Sequence, residues 1–259
     1  MSHQNNLIQQ FDNKDRYSDI KPYKYNTIQI NIDNKKDNHY INASPINIEK
    51  DKYFISTQGP KDNTVEDFWT MIDEQKCNVI VMLCNLEEAG REKCAKYWHK
   101  TMKKYTIKVE KKEKEEKEKN EIFKIRNLIL INNQTKEEKK IVQIHFQGWP
   151  DHGIPDKDDE RILEAFIEIN KIVDENKKDG PIVVHCSAGV GRTGTFISMY
   201  FLEKEIKKQL NDPKAKNIQV NIFNFVRKLK EMRLYLVQSN LQYYYIYIFV
   251  NYLLDNLNK

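Results

Sequence analysis

Apolar positions along this chain follow two rhythms, and their order predicts the elements of the fold. Two short segments are apolar at nearly every position, Val79-Ile80-Val81-Met82-Leu83 and Pro181-Ile182-Val183-Val184 leading into His185. Continuous runs of this length predict strands buried on both faces. Tyr105–Val109 and residues 122–131 predict strands flanking a charged tip, and residues 141–146 a strand leading into Trp149. Thr64-Val65-Glu66-Asp67 reads as a helix start, with Phe68, Met71 and Ile72 following at helical spacing. A helix is predicted over 159–173, with Ile162, Phe166, Ile169 and Val173 on one face, and a largely buried one over 193–207. Two amphipathic helices follow, one carrying Ile218, Ile222, Phe225, Leu229 and Met232, the other Leu241, Tyr244, Tyr245, Ile248, Phe249 and Tyr252. Residues 11–60 read as loop and short extended segments, with turns near Pro22, Asn34-Lys35 and Pro45. Strands and helices intermixed with no linker or repeat predict a single α/β domain.

Composition narrows the class. At 259 residues and 31.0 kDa, the chain has room for one large domain or two small ones. Mean hydropathy is low, −0.77, but 14 Tyr and 11 Phe supply bulk for a core. No apolar run approaches the ~20 residues of a bilayer crossing. The start MSHQNNLIQQ lacks the basic-then-apolar plan of a signal peptide, so neither a membrane span nor secretion is expected. Four cysteines without a CxxC pair exclude a zinc finger and a dense disulfide scaffold, and a reducing, intracellular setting is expected. The charge of +5 raises nucleic acid as a partner. Only seven of the 43 basic residues are Arg, however, and most Lys are interleaved with Glu and Asn. Nucleic-acid readers favour clustered Arg with exposed aromatics, so no nucleic-acid partner is expected. Residues 110–121, with five Lys and six Glu, are nearly neutral and read as a solvated hairpin tip.

Glycine gives the sharper signal. Of eight, three fall within 189–194 and two flank Trp149-Pro150-Asp151. A Gly-poor chain that concentrates glycine in two places needs unusual backbone angles or close ligand approach there. In PIVVHCSAGVGRTGTF (181–196) a buried strand ends at Cys186, a loop of small residues follows, and a helix begins near Arg192. Open α/β sheets place ligands at the carboxyl ends of their strands. The successive N–H groups of Ser187, Ala188, Gly189, Val190, Gly191 and Arg192 can curl into a nest for a tetrahedral oxyanion, with the helix amino terminus beneath it. The Arg192 fork can clamp two phosphate oxygens. The same positive field favours a thiolate at Cys186, which makes it a phosphorus nucleophile.

These residues carry a resemblance. HCSAGVGRTG is similar to the signature of the large, tyrosine-specific protein tyrosine phosphatases. Further motifs of that family recur in order: DRYSDI (15–20), HYINAS (39–44), YFISTQGP (53–60), TVEDFW (64–69), VIVML (79–83), EEAGREKC (87–94), KYW (96–98), WPDHGIP (149–155) and VQSNLQYYYIY (237–247). The resemblance covers about residues 11–250. It implies one catalytic domain over 1–259: a twisted mixed β-sheet flanked by helices, with the Cys loop between a central strand and a helix amino terminus.

The resemblance also implies roles. Asp151 corresponds to a general acid on a mobile loop; protonating the departing phenolate is worth ~10²–10⁴-fold for acid–base catalysis. Gly148, Pro150, Gly153 and Pro155 bracket that loop, and Trp149 anchors it. Gln242 corresponds to the glutamine that positions water in the second step, Gln238 helps place it, and Thr193 assists breakdown of a phosphocysteine. Glu88 pairs with Arg192, Glu87 being the adjacent alternative. Lys93 approaches the acid loop on closure, and His185 tunes Cys186 through structure. Tyr17 walls a deep cleft and Asp19 holds substrate backbone amides. Asp15 stands where the family often has Asn. Tyr235 corresponds to a position at the cleft rim, the alternative being a core position beside Leu234 and Leu236.

Taken together, these expectations describe a metal-free and cofactor-free hydrolase of phosphotyrosine in proteins, cytoplasmic and monomeric. A catalytically dead phosphotyrosine-binding module should have lost Cys186, Asp151 or Arg192, and all three are present. A lipid phosphatase would carry basic residues inside the loop, where Ser187, Ala188 and Val190 stand.

Overall fold

The computed structural model describes residues 13–31, 39–49, 52–110, 122–150, 153–214 and 217–257. Ten strands are defined among them: β1 (Ala43–Glu49), β2 (Lys52–Thr57), β3 (Val79–Met82), β4 (Glu87–Glu88), β5 (Arg91–Glu92), β6 (Lys100–Thr101), β7 (Tyr105–Val109), β8 (Phe123–Asn132), β9 (Glu138–Phe146) and β10 (Ile182–His185). Five α-helices accompany them: α1 (Val65–Glu74), α2 (Glu160–Asn176), α3 (Gly191–Leu210), α4 (Ile222–Met232) and α5 (Asn240–Leu257). Eight strands form one sheet in the order β1-β2-β10-β3-β9-β8-β7-β6, and β4 pairs with β5 in a separate hairpin.

The sheet is mixed. β2, β10, β3 and β9 run parallel, and antiparallel pairs extend it on both sides. The two continuously apolar segments are β3 and β10, neighbours in the parallel block and buried at every position. Parallel strands covered by helices on both faces need apolar side chains on both, which is why their pattern is continuous rather than alternating. Phe54 pairs with Ile182 and sits under Tyr200 and Phe201 of α3, while His185, three residues along β10 and so on the other face, meets Phe68 of α1. Helices therefore cover both faces, with α1 opposite α3.

Helix and strand boundaries extend a few residues beyond the sequence expectation, as for α2, which reaches Asn176, and β9, which begins at Glu138. The amino-terminal region departs more. Residues 43–57, expected to be loop and short extended segments with a turn near Pro45, form the β1–β2 hairpin at the sheet edge; the turn is not there, and Pro45 pairs with Ile55 inside β1. An edge strand tolerates proline because the missing N–H costs no ladder bond on the open side. Ile218 precedes α4 rather than lying on it. The turn expected at Asn34-Lys35 and most of the charged tip lie outside the described residues.

Candidate active site

β10 delivers Cys186 to the carboxyl edge of the parallel strands, and α3 begins at Gly191. Between them the chain turns its carbonyl groups outward, and each one finds a partner. His185 Nδ1 lies 3.2 Å from the Cys186 oxygen, and the Gly59 N–H donates to the Ser187 oxygen at 3.0 Å. Arg233 donates through Nη2 to the Ala188 oxygen at 3.3 Å and through Nε to the Gly189 oxygen at 3.0 Å. Ser56 Oγ also donates to Gly189, at 2.8 Å, and the Gly194 and Val237 N–H groups donate to the Val190 oxygen. A trans peptide sets N–H opposite C=O, so tying the carbonyls to the scaffold turns the N–H groups toward the cleft, the geometry of an anion nest. The Gly189 N–H already points at Cys186 Sγ, 3.3 Å away.

Glycine is required at two points of this turn. Gly189 has φ +69°, and a Cβ there would lie 2.1 Å from the Thr57 oxygen. A Cβ on Gly191 would meet the Gln242 amide at 2.8 Å. Serine or alanine at either position would displace backbone or the glutamine.

Arg192 is buried, as is Glu88, and the two form a bidentate pair with both N–O distances 2.7 Å. Burial is the largest single influence and opposes the guanidinium charge, but the Glu88 hydrogen bonds and the Coulombic attraction of the neighbouring groups together outweigh it, and the Arg192 pKa is raised. Arg192 Nη1 also donates to the Leu83 oxygen and Nη2 to the Pro150 oxygen. Glu88 is carried by the β4–β5 hairpin, whose turn uses Ala89 and Gly90 at positive φ. Of the two acids left open by the sequence, Glu88 faces Arg192 and Glu87 is exposed.

A cleft of about 230 Å³ opens above the loop. It is lined by Cys186, Ser187, Ala188, Gly191 and Arg192 on the floor, and by Tyr17, Asp19, Lys93, Gly153, Gln238 and Gln242 around it. The Tyr17 hydroxyl lies 2.9 Å from Ser187 Oγ, which in turn donates to the Lys93 oxygen at 3.0 Å. The Tyr17 segment is itself pinned by Arg16, which donates to the carbonyls of Gly59, Pro60 and Glu92. Gln242 Oε1 accepts from the Gln238 and Ser239 N–H groups at the start of α5, fixing the side chain over Gly191. Thr193 Oγ1 is buried without a hydrogen-bond partner. Trp149 is buried against Phe146, Phe166 and Tyr245, and its Nε1 donates to the Gly153 oxygen. It thus joins the two ends of the segment that contains Asp151, which with His152 lies outside the described residues.

Asp15 is buried beneath the same region, where it accepts from Tyr40 and Asn42, and burial raises its pKa. Tyr235 is 38% exposed, with φ +66°, and does not sit in the core. Arg233 is fully buried and holds two loop carbonyls, yet nothing in the loop motif points to it. The available signal was the rarity of Arg, seven in the whole chain.

Two buried histidines stand behind the loop. Burial pushes the His185 pKa down to about 3 and that of His145 down to about 4. In the unfolded chain both titrate near ~6.5. As pH falls below that value the unfolded state takes up protons that the folded state refuses, so stability declines with acidification. The expected slope is on the order of 1 kcal/mol per pH unit for each histidine between about pH 6 and pH 4. Urea midpoints across that range measure it; a midpoint that stays level would show that the two rings are not held neutral.

The residues and the fold agree with what comparison finds. Residues 11–252 match the protein-tyrosine phosphatase family, and the chain belongs to it. It is 39% identical over 245 residues to receptor-type tyrosine-protein phosphatase C of Homo sapiens, covering 91% of this chain and 18% of that protein. It is 36% identical over 251 residues to tyrosine-protein phosphatase non-receptor type 20 of Rattus norvegicus, covering 94% and 55%. The catalytic domain of human protein tyrosine phosphatase non-receptor type 18 superposes with a TM-score of 0.81 at 27% identity, over 97% of this chain and 88% of that one. The chain spans about a fifth of the length of the receptor-type relatives.

Proposed function

We propose that this chain hydrolyses phosphotyrosine in proteins through a phosphocysteine intermediate, with residues 1–259 acting as one catalytic domain. The observation that carries the reading is the cleft that has Cys186 and Arg192 on its floor and Tyr17 in its wall. In the first step Cys186 attacks phosphorus as a thiolate, forming the S–P bond as the P–O bond to tyrosine breaks, and Asp151 gives its proton to the departing oxygen. In the second, water held by Gln242 and Gln238 attacks phosphorus, Asp151 takes its proton, the S–P bond breaks with help from the Thr193 hydroxyl, and inorganic phosphate leaves. The N–H groups of residues 187–192 and the Arg192 fork carry the equatorial oxygens through both steps. Glu88 keeps that fork aimed, Trp149 anchors the acid loop, Lys93 meets it on closure, and His185 supports Cys186 from behind. Asp19 holds the substrate backbone beside Tyr17.

Three features support a cytoplasmic enzyme. No described helix is long and apolar enough to cross a membrane, all four cysteines are free, and relatives include non-receptor phosphatases.

Cleft depth supplies the test. A phosphotyrosine buries its ring against Tyr17 while the phosphate reaches the loop; phosphoserine cannot do both. Burying an aromatic ring contributes ~2–3 kcal/mol, so kcat/KM for a phosphotyrosine peptide should exceed that for its phosphoserine counterpart by roughly 100-fold. Steady-state release of phosphate from the two peptides measures the ratio. A ratio near one, or no release from either, overturns the proposal.

A further inference from the structure

A chain of side chains, half-buried at Arg126 and buried beyond it, crosses the sheet from Arg126 on β8 to the Cys186 carbonyl, and its donors and acceptors set one direction for its hydrogens. Arg126 and Gln143 are register partners on β8 and β9, and Gln143, His145 and His185 share the sheet face that Tyr97 covers. Arginine has donors and no acceptor, so Gln143 must turn Oε1 to Arg126 Nη1, at 3.0 Å. Its amide nitrogen then donates to the Tyr97 oxygen at 2.6 Å, the second amide hydrogen lying toward Met82 Sδ. Tyr97 has one proton to give and two acceptors in reach, Met82 Sδ at 3.7 Å and His185 Nε2 at 2.9 Å; a thioether accepts weakly, so the proton goes to the nearer imidazole nitrogen. An accepting Nε2 on a neutral ring puts the hydrogen on Nδ1, which faces the Cys186 oxygen at 3.2 Å.

The same guanidinium sets a second histidine the opposite way. Arg126 Nη1 lies 3.3 Å from His145 Nδ1, which must therefore accept. The hydrogen sits on Nε2 and is donated to the Cys84 oxygen at 2.9 Å. Gln143, Tyr97 and His185 are wholly buried and His145 nearly so, and burial holds both rings neutral, with pKa values of about 3 and about 4. Arg126 itself is held face-on over the Trp98 ring at 4.5 Å.

We propose that Arg126, Gln143 and Tyr97 are positioning residues that lock His185 as the Nδ1–H tautomer and thereby hold the Cys186 carbonyl turned out of the phosphate nest. Without that donor the carbonyl can swing inward, where it opposes a bound anion. The consequence for catalysis rests on the phosphatase reading above; the tautomer assignment does not.

Gln143→Glu tests the relay with almost no change of shape. A carboxylate paired with Arg126 can only accept from Tyr97, so the Tyr97 oxygen must accept from His185 Nε2–H, and Nδ1 loses its hydrogen. Long-range ¹H–¹⁵N spectra read the tautomers directly. The parent protein should show His185 as Nδ1–H and His145 as Nε2–H, and in Gln143→Glu His185 should invert. In the same variant kcat on a small aryl phosphate should fall roughly five- to tenfold, the value of one hydrogen bond, with KM little changed. Should Gln143→Glu not fold, Arg126→Met, which keeps the stem on Trp98, frees the Gln143 amide to turn Oε1 toward Tyr97 and should leave His185 a mixture of its two tautomers with kcat lowered likewise, while His145 stays Nε2–H on the Cys84 oxygen. An uninverted His185, or His185 as Nε2–H in the parent, overturns the relay. Inversion with unchanged kcat overturns the positioning role while leaving the phosphatase reading intact. An inactive parent with the expected tautomers would instead count against the phosphatase reading.

Discussion

Cys186→Ser is expected to abolish turnover of a phosphotyrosine peptide, by roughly 10⁴-fold or more as judged from nucleophile deletions elsewhere, while peptide binding survives. An alcohol is not ionised at neutral pH and needs a base to attack phosphorus, and the described residues place none against Cys186. The nearest imidazole, His185, is buried, kept neutral and occupied by Tyr97 on one side and by the Cys186 carbonyl on the other. Binding, by contrast, depends on groups the substitution leaves alone: the outward-tied loop, Arg192 and the Tyr17 wall. Serine is nearly isosteric at a position only 4% exposed, and the Gly189 N–H that meets Sγ at 3.3 Å can meet Oγ instead. Phosphate release and calorimetric titration of the same peptide read the two quantities separately. Residual turnover within tenfold of the parent would require another nucleophile. Loss of binding together with turnover would mean that the substitution had collapsed the loop.

Why this site was legible from sequence, and where legibility stopped, follows from chain distance. The phosphate loop is contiguous: Cys186, three glycines and Arg192 fall within nine residues, so strand, nest and helix start can be read off one segment. The central strands were legible because burial on both faces leaves an unbroken apolar run. The β1–β2 hairpin was not, because an edge strand has one open side and tolerates Pro45, Asn47 and other residues that read as loop. The β4–β5 hairpin is only two residues a side and carries no periodicity at all. The supports behind the loop were the least visible. Arg233 reaches carbonyls 44 and 45 positions away, and the Tyr97–His185 bond spans 88 residues. No local pattern encodes such pairs, since each contributes one polar side chain to an otherwise apolar setting. Tyr235 shows the same limit: between Leu234 and Leu236 it could be core or rim, and only its exposure excludes the core.

Arg192→Lys should cost nearly as much as losing the nucleophile, although the charge is kept. The guanidinium serves two partners in one plane, Glu88 through both terminal nitrogens and the cleft, whose floor it forms. A lysine ammonium is a single point donor that can satisfy the carboxylate or reach the phosphoryl oxygens, and its geometry does not span both. Because Glu88 is buried, its demand is met first; an unpaired buried carboxylate would cost ~3–5 kcal/mol. The cleft then loses its oriented donors, and kcat/KM should fall roughly 10³-fold, the scale of removing preorganised transition-state donors. Thermal stability should change little by comparison. Arg192→Ala separates the two contributions, since it strands Glu88 and should lower the melting temperature sharply as well. Adding Glu88→Gln to Arg192→Ala should restore much of that stability without restoring activity, a non-additivity expected of partners in direct contact. Steady-state kinetics and thermal denaturation of the three variants decide it: Arg192→Lys within tenfold of the parent, or no rescue of stability by Glu88→Gln, would show that the fork does not join the hairpin to the phosphate site.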